Sequence, residues 1–141
     1  MGRILSIDYG KKRTGIAVSD TLQLIANGLT TVSTSGLFDF VKAYLAKEKV
    51  DTIVVGRPRQ MDNTDSENMA RITPFFNRLK KAFPSVEVVY YDERFTSVLA
   101  HKAMIAGGMK KSVRRNDKGK VDEISAVIIL EDFMESRRMQ H

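Results

Sequence analysis

Cysteine is absent from the 141 residues, which excludes disulfides and thiolate metal sites and fits a reducing, cytoplasmic setting. No apolar run approaches the roughly 18 residues that a membrane span needs, so no membrane partner is expected. Met1-Gly2-Arg3 leads almost at once into a strand-like run, without a signal-peptide pattern. There is no Gly-x-x-x-x-Gly-Lys-Ser/Thr phosphate loop, and no repeat, low-complexity tract or interdomain linker. Acid is in deficit: 17 Asp+Glu face 23 Lys+Arg, giving +6 and a pI near 9.7. That excess favours a polyanionic partner. With 43% hydrophobic and 28% charged residues, a single domain over residues 1–141 with a real core is expected.

What is present begins with two short apolar runs, Ile4 to Ile7 and Ile16 to Val18, flanking a turn with Gly10, Gly15 and Lys11-Lys12-Arg13. This reads as a β-hairpin with a basic tip. Ala26-Asn27-Gly28 is a turn signal and Leu29 to Val32 a third strand. Ser33-Thr34-Ser35 offers N-cap candidates for a helix carrying Leu37, Phe40, Val41, Tyr44 and Leu45 at helical spacing. Asp51 to Gly56 reads as a buried parallel strand, followed by a polar loop from Arg57. Met69, Ile72, Phe76, Leu79 and Phe83 mark a second helix, which Pro74 is expected to kink or interrupt. Val86 to Tyr91 is a fifth strand, and Thr96 or Ser97 caps a helix through Ile105. Asp122 is then expected to open a last helix, with Ile124, Val127, Ile128, Leu130 and Met134 on its buried side. The fold class is α/β: three antiparallel strands, then two parallel ones, in a mixed five-stranded sheet with helices on its faces.

Three acids stand at strand ends or helix starts: Asp8, the pair Asp92-Glu93, and Asp122. Asp8 ends a strand that otherwise looks buried, where a carboxylate without a partner costs several kcal/mol. Each acid has a plain structural alternative: a turn cap for Asp8, a surface bridge to Arg94 for Asp92 or Glu93, a helix cap for Asp122. If the fourth strand lies beside the first, all three converge at one edge. Hard oxygen ligands without His or Cys suit Mg²⁺ or Mn²⁺. His101 reads as a solvated helical residue.

Four ordered motifs resemble those of the YqgF family, RNase H-like proteins described as Holliday junction resolvases and pre-16S rRNA nucleases. They are Ile7-Asp8-Tyr9-Gly10 with Lys12-Arg13-x-Gly15-x-Ala17-x-Ser19-Asp20, then Val54-Val55-Gly56-Arg57-Pro58 through Met61-Asp62-Asn63-Thr64. Asp92-Glu93-Arg94-Phe95-Thr96 is the third, and Gly119-Lys120-Val121-Asp122 leading into Ser125 to Leu130 the fourth. The resemblance covers essentially the whole chain. It implies an RNase H-like fold and metal-dependent nuclease chemistry, with an acidic triad at Asp8, Glu93 and Asp122. The family commonly has Gly-Leu-Pro-Leu where this chain has Gly56-Arg57-Pro58-Arg59. Asn63 and Leu99 also depart from its pattern.

The resemblance implies an Mg²⁺-dependent endonuclease on structured RNA or branched DNA, processing the 5′ end of precursor 16S rRNA. The alternatives are Holliday junction resolution and a non-catalytic nucleic-acid-binding module on the same fold. An actin-like ATPase, which also uses an Asp-x-Gly turn, needs two such domains, and this chain has room for one. A monomer or weak homodimer is expected. Contacts to the sugar–phosphate backbone are assigned to Lys11, Lys12, Arg13, Arg57, Arg94, Lys110, Lys111, Arg114 and Arg115. From Lys110 to Lys120, six cations face a single acid, Asp117. Neutralising Lys110, Lys111, Arg114 and Arg115 together is expected to flatten the salt dependence of nucleic-acid affinity. The loss in log–log slope is up to about 0.9 per phosphate contact on a duplex. An unchanged slope in a binding titration across salt concentrations would show the segment to be a bystander.

Overall fold

Alternation along the first strand defines the two faces of the sheet. In the computed structural model the described residues are 2–58, 67–92 and 118–139, with side chains from 123 onward in the last stretch. The strands are β1 (Arg3–Asp8), β2 (Arg13–Ser19), β3 (Ala26–Ser33), β4 (Val50–Arg57) and β5 (Glu87–Asp92). The helices are α1 (Leu37–Lys47), α2 (Met69–Ala82) and α3 (Lys118–Met139). The strand order is β3-β2-β1-β4-β5, with β1–β2 and β2–β3 antiparallel and β1–β4 and β4–β5 parallel. This is the expected mixed sheet, consistent with an RNase H-like fold, and it puts β1 at the centre.

Leu5 and Ile7 of β1 join Ile16, Val18, Ile53 and Val55 under α1 and α2, which contribute Leu37, Val41, Ile72 and Leu79. Ile4, Ala17 and Val54 pack on the other face beneath Ala126, Ile129, Leu130, Phe133 and Met134 of α3. Side chains on a strand alternate, so Ser6 and Asp8 share the α3 face with Ile4. Each large apolar side chain buried this way contributes roughly 1.5–3 kcal/mol. At the far end of α3, Arg137 pairs with Glu87 of β5. That hydrogen bond holds the Glu87 carboxyl below its ordinary pKa. The pair therefore stabilises the fold above the ordinary glutamate range and is lost as pH falls through the lowered value.

Four local expectations are corrected. The turn between β2 and β3 is not at Ala26-Asn27-Gly28, which lies in β3. It is at Asp20–Ile25, where the Asp20 carboxylate accepts the backbone N–H groups of Leu24 (2.7 Å) and Ile25 (2.9 Å). Those bonds, Ile25 first, hold Asp20 below its usual pKa. Gly28 instead faces α3, where a Cβ would run into the Glu123 side chain; a glycine within a strand marks this kind of close approach.

Residues 34–36 form a 3-10 turn, and α1 starts at Leu37 after Gly36 without a side-chain cap. The last helix starts at Lys118, so Asp122 lies beyond its first turn. Its buried stripe is Ala126, Ile129, Leu130, Phe133 and Met134, whereas Ile124 is exposed. Finally, the expected interruption at Pro74 is absent: α2 spans Met69–Ala82 as one helix with Pro74 inside it. The carbonyl deprived of its intrahelical donor is that of Ala70, and both residues are exposed, on a part of the helix where a lost bond is tolerated. The expected helix after Thr96 and His101 within it lie outside the described residues.

Pro74→Ala is expected to stabilise the protein by about 1–2 kcal/mol. The helix regains up to about 3 kcal/mol, offset by about 0.4–1 kcal/mol from the freer unfolded chain. Urea unfolding measures the difference.

Candidate active site

The parallel strands β1, β4 and β5 present their carboxyl ends at one edge of the sheet, the edge where α/β folds place ligands. Asp8 is the last residue of the central strand and is only 6% exposed. Its partner on β2 is Gly15. On β4 the Ile7↔Val55 pair places Gly56 at the next position across from it. The carboxylate is thus flanked on both sides by residues without side chains, which leaves room over it at a sheet edge. One turn of β1 earlier on the same face, the Ser6 hydroxyl donates to the carbonyl oxygen of Ala126 in α3, at 2.6 Å.

The basic tip is built on a set of polar clamps. The Thr34 hydroxyl donates to the Gly10 carbonyl (2.7 Å), and the Thr34 N–H donates to the Lys12 carbonyl (2.9 Å). Thr14 and Thr34 share a hydrogen bond between hydroxyls (2.9 Å), and the Gly10 N–H donates to Thr14 (3.4 Å). From the start of α2, the Asn68 amide donates to the Tyr9 carbonyl (2.9 Å), and the Tyr9 ring meets Phe75 at 5.4 Å. Lys11, Lys12 and Arg13 are all exposed on this clamped turn. The sequence reading missed Thr14, Thr34 and Asn68. Thr34 had the signature of a helix cap, and no local signal marks the other two.

Arg57 and Asp92 are partners across β4 and β5, in the same parity as Val55 and Tyr90. Both therefore belong to the α1/α2 face, opposite Asp8. The Arg57 guanidinium lies 5.5 Å from the Tyr90 ring, which itself stacks on Phe76 at 3.8 Å. Glu93, Arg94, Lys110, Lys111, Arg114 and Arg115 lie outside the described residues, as does the side chain of Asp122. Among the described residues no three His, Asp or Glu side chains gather closely enough to hold a metal ion. Of the expected triad, only Asp8 has a described side chain. No helix among the described residues is long and apolar enough to cross a membrane.

Gly10 packs against the backbone of Arg13, and a Cβ there would collide with the Arg13 carbonyl oxygen. Gly10→Ala is expected to cost about 1–3 kcal/mol in urea unfolding, as overpacking generally does. Faster amide exchange should appear first between Tyr9 and Arg13. Unchanged exchange in that turn would contradict the clamp.

The family model described as "RuvX: Holliday junction resolvase" matches residues 2–136. A protein of Phocaeicola vulgatus named "Putative pre-16S rRNA nuclease" is 60% identical over 138 residues, covering 98% of this chain and 99% of its own. Proteins of the same name from Bacteroides thetaiotaomicron and Flavobacterium johnsoniae are 62% and 51% identical over the same shares of each chain. These matches agree with the resemblance of the four motifs, and they span Asp8, the clamped turn and α3. The chain belongs to the RuvX family.

Proposed function

We propose that this protein is a divalent-metal-dependent endonuclease that processes the 5′ end of precursor 16S rRNA. The observation that carries the reading is the setting of Asp8: a buried carboxylate at the carboxyl end of the central strand, between two glycines, beside a clamped tricationic turn. The names of the relatives, at 50% identity and above, supply the substrate. A cytoplasmic location goes with that proposed substrate.

The acids proposed to complete the site are Glu93 and Asp122. The Ser6–Ala126 bond supports Asp122: α3 crosses β1 with Met134 near Ile4 and Ala126 at Ser6. Continuing one step along β1 reaches Asp8, and continuing one turn back along α3 reaches position 122. The helix start at Lys118 also weakens the reading of Asp122 as a cap. Strand parity favours Glu93 over Asp92, because Asp92 falls on the face opposite Asp8.

An all-carboxylate donor set fits Mg²⁺ or Mn²⁺. Such an ion, when bound, supplies the charge that activates water and stabilises a departing oxygen. Hydrolysis joins a water oxygen to phosphorus and breaks the P–O3′ bond, leaving 5′-phosphate and 3′-hydroxyl ends. In this reading Asp8 holds charge and geometry beside the phosphate, while Lys11, Lys12 and Arg13 bind neighbouring phosphates. Lys110, Lys111, Arg114, Arg115 and Arg94 are proposed, from the sequence alone, to bind further phosphates. The family description favours one second substrate, a four-way DNA junction.

The test is single-turnover cleavage of extended 16S rRNA and of junction DNA with saturating Mg²⁺. Asp8→Asn is expected to fold and to lose cleavage by several orders of magnitude. Glu93→Gln should behave likewise, whereas Asp92→Asn should lose far less. A folded Asp8→Asn protein with full activity overturns the nuclease reading. Cleavage of the junction alone replaces the substrate. A dead Asp92→Asn beside a normal Glu93→Gln moves the ligand by one residue.

A further inference from the structure

On the α1/α2 side of the clamped turn lies a cavity of about 270 Å³, one residue away from Asp8 along the chain. The residues that line it include Tyr9 and Phe75, the hydroxyl residues Thr34 and Ser35, and Arg71 and Arg78. No carboxylate lines it among the described residues. A cavity of this size lies just under the roughly 300–1,000 Å³ of ordinary ligand pockets. It has room for a base or a phosphate, but not for a folded partner.

The two arginines are seven residues apart on α2, which puts them on one side of the helix, about 10 Å apart along its axis. Pro74 and Phe75 sit between them. Arg78 is already held in place: its guanidinium lies 3.7 Å from the Phe38 ring, which stacks on Phe83 at 5.9 Å. A guanidinium stacked on a ring keeps its N–H edge free for planar contacts to phosphate oxygens, and little freedom is left to lose. Arg71 is exposed. The Tyr9 backbone is fixed by Asn68 and its ring rests against Phe75, so the apolar wall is rigid as well. Cations that track a backbone, beside aromatic faces that take a base, form the pattern of single-strand recognition. A base inside a duplex offers no free face to such a wall.

We propose that this groove binds an unpaired stretch of the nucleic-acid substrate adjoining the cleaved phosphodiester. Arg71 and Arg78 take phosphate oxygens, and Tyr9 and Phe75 take a base. The assignment rests on the nuclease reading and sharpens it. The substrate strand runs from the Asp8 side, past Lys11, Lys12 and Arg13, into the groove on the opposite face. The enzyme is thereby selective for a cleavage site next to unpaired nucleotides.

The experiment measures affinity by fluorescence anisotropy with the intact chain and divalent ions chelated. The probes are a labelled RNA of roughly twelve nucleotides and the same RNA in a duplex, titrated between about 50 and 200 mM salt. The double variant Arg71→Gln/Arg78→Gln is expected to lower the single-strand salt slope by about 0.7 per lost contact, about 1.4 in all. Arg71→Lys/Arg78→Lys should restore most of that slope. Phe75→Leu should weaken single-strand binding roughly tenfold and leave duplex binding within about twofold. Thermal unfolding verifies that each variant is folded. If folded variants keep wild-type slope and single-strand affinity, the groove assignment is overturned. Equal weakening on duplex and single strand overturns the selectivity for unpaired nucleotides. Should the wild-type chain bind neither probe, the nuclease reading falls together with the groove.

Discussion

The hydrogen bond from Ser6 to the Ala126 carbonyl is the contact on which the arrangement of the candidate site depends. Ser6 is fully buried, and the bond joins the central strand to α3 across the apolar face formed by Ile4, Ala17 and Val54. Hydrophobic packing alone is non-directional and tolerates sliding along the helix axis. The hydroxyl does not. A helix displaced by part of a turn would carry the carbonyl away and bury the hydroxyl without its acceptor, at about 1–3 kcal/mol. The Ala126 carbonyl has a second lone pair to offer, so the helix gives up no bond of its own. One polar atom therefore fixes where α3 stands relative to Asp8.

The second constraint is the clamp on the basic turn. Three adjacent cations repel one another, and a free hairpin tip would spread them into solvent. Here Thr14, Thr34 and Asn68 bind the backbone carbonyls and amide beneath them. The backbone pays its ordering entropy on folding and not on binding, which is the benefit of preorganisation. The clamps hold backbone atoms, and the side chains of Lys11, Lys12 and Arg13 are exposed at the surface.

The sheet was legible because its signals are local. Short β-branched runs, a basic hairpin and helical spacing sufficed to order five strands around β1. Asp8 stood out for the same reason, as a carboxylate ending an apolar strand. The errors arose where a local signal was used for something else. Asn27-Gly28 has the composition of a turn, but its glycine admits Glu123, while the real turn is disguised by Leu22, Leu24 and Ile25. The run Ala126 to Leu130 is apolar on every side, so its period could not name the buried stripe. The packed side turned out to be the one with alanine and serine, which let a helix approach the sheet closely. Thr34 resembled a helix cap because a threonine that holds a neighbouring turn has the same composition.

Register also decides what charge counts do not. Arg57 follows Gly56 in sequence and appears to add a cation beside Asp8. Strand alternation sends it to the other face, over Tyr90, the face that also carries Arg71 and Arg78 on α2. The sheet thereby separates two kinds of group. The buried carboxylate belongs to the α3 face, and Arg57 and Arg78, over Tyr90 and Phe38, belong to the α2 face. Lys11, Lys12 and Arg13 stand at the edge between them. In the proposed reading, a polyanion held by both sets crosses that edge over the turn clamped by Thr14, Thr34 and Asn68. Under the proposed reading, rigidity there lets contacts on one face position a phosphate on the other.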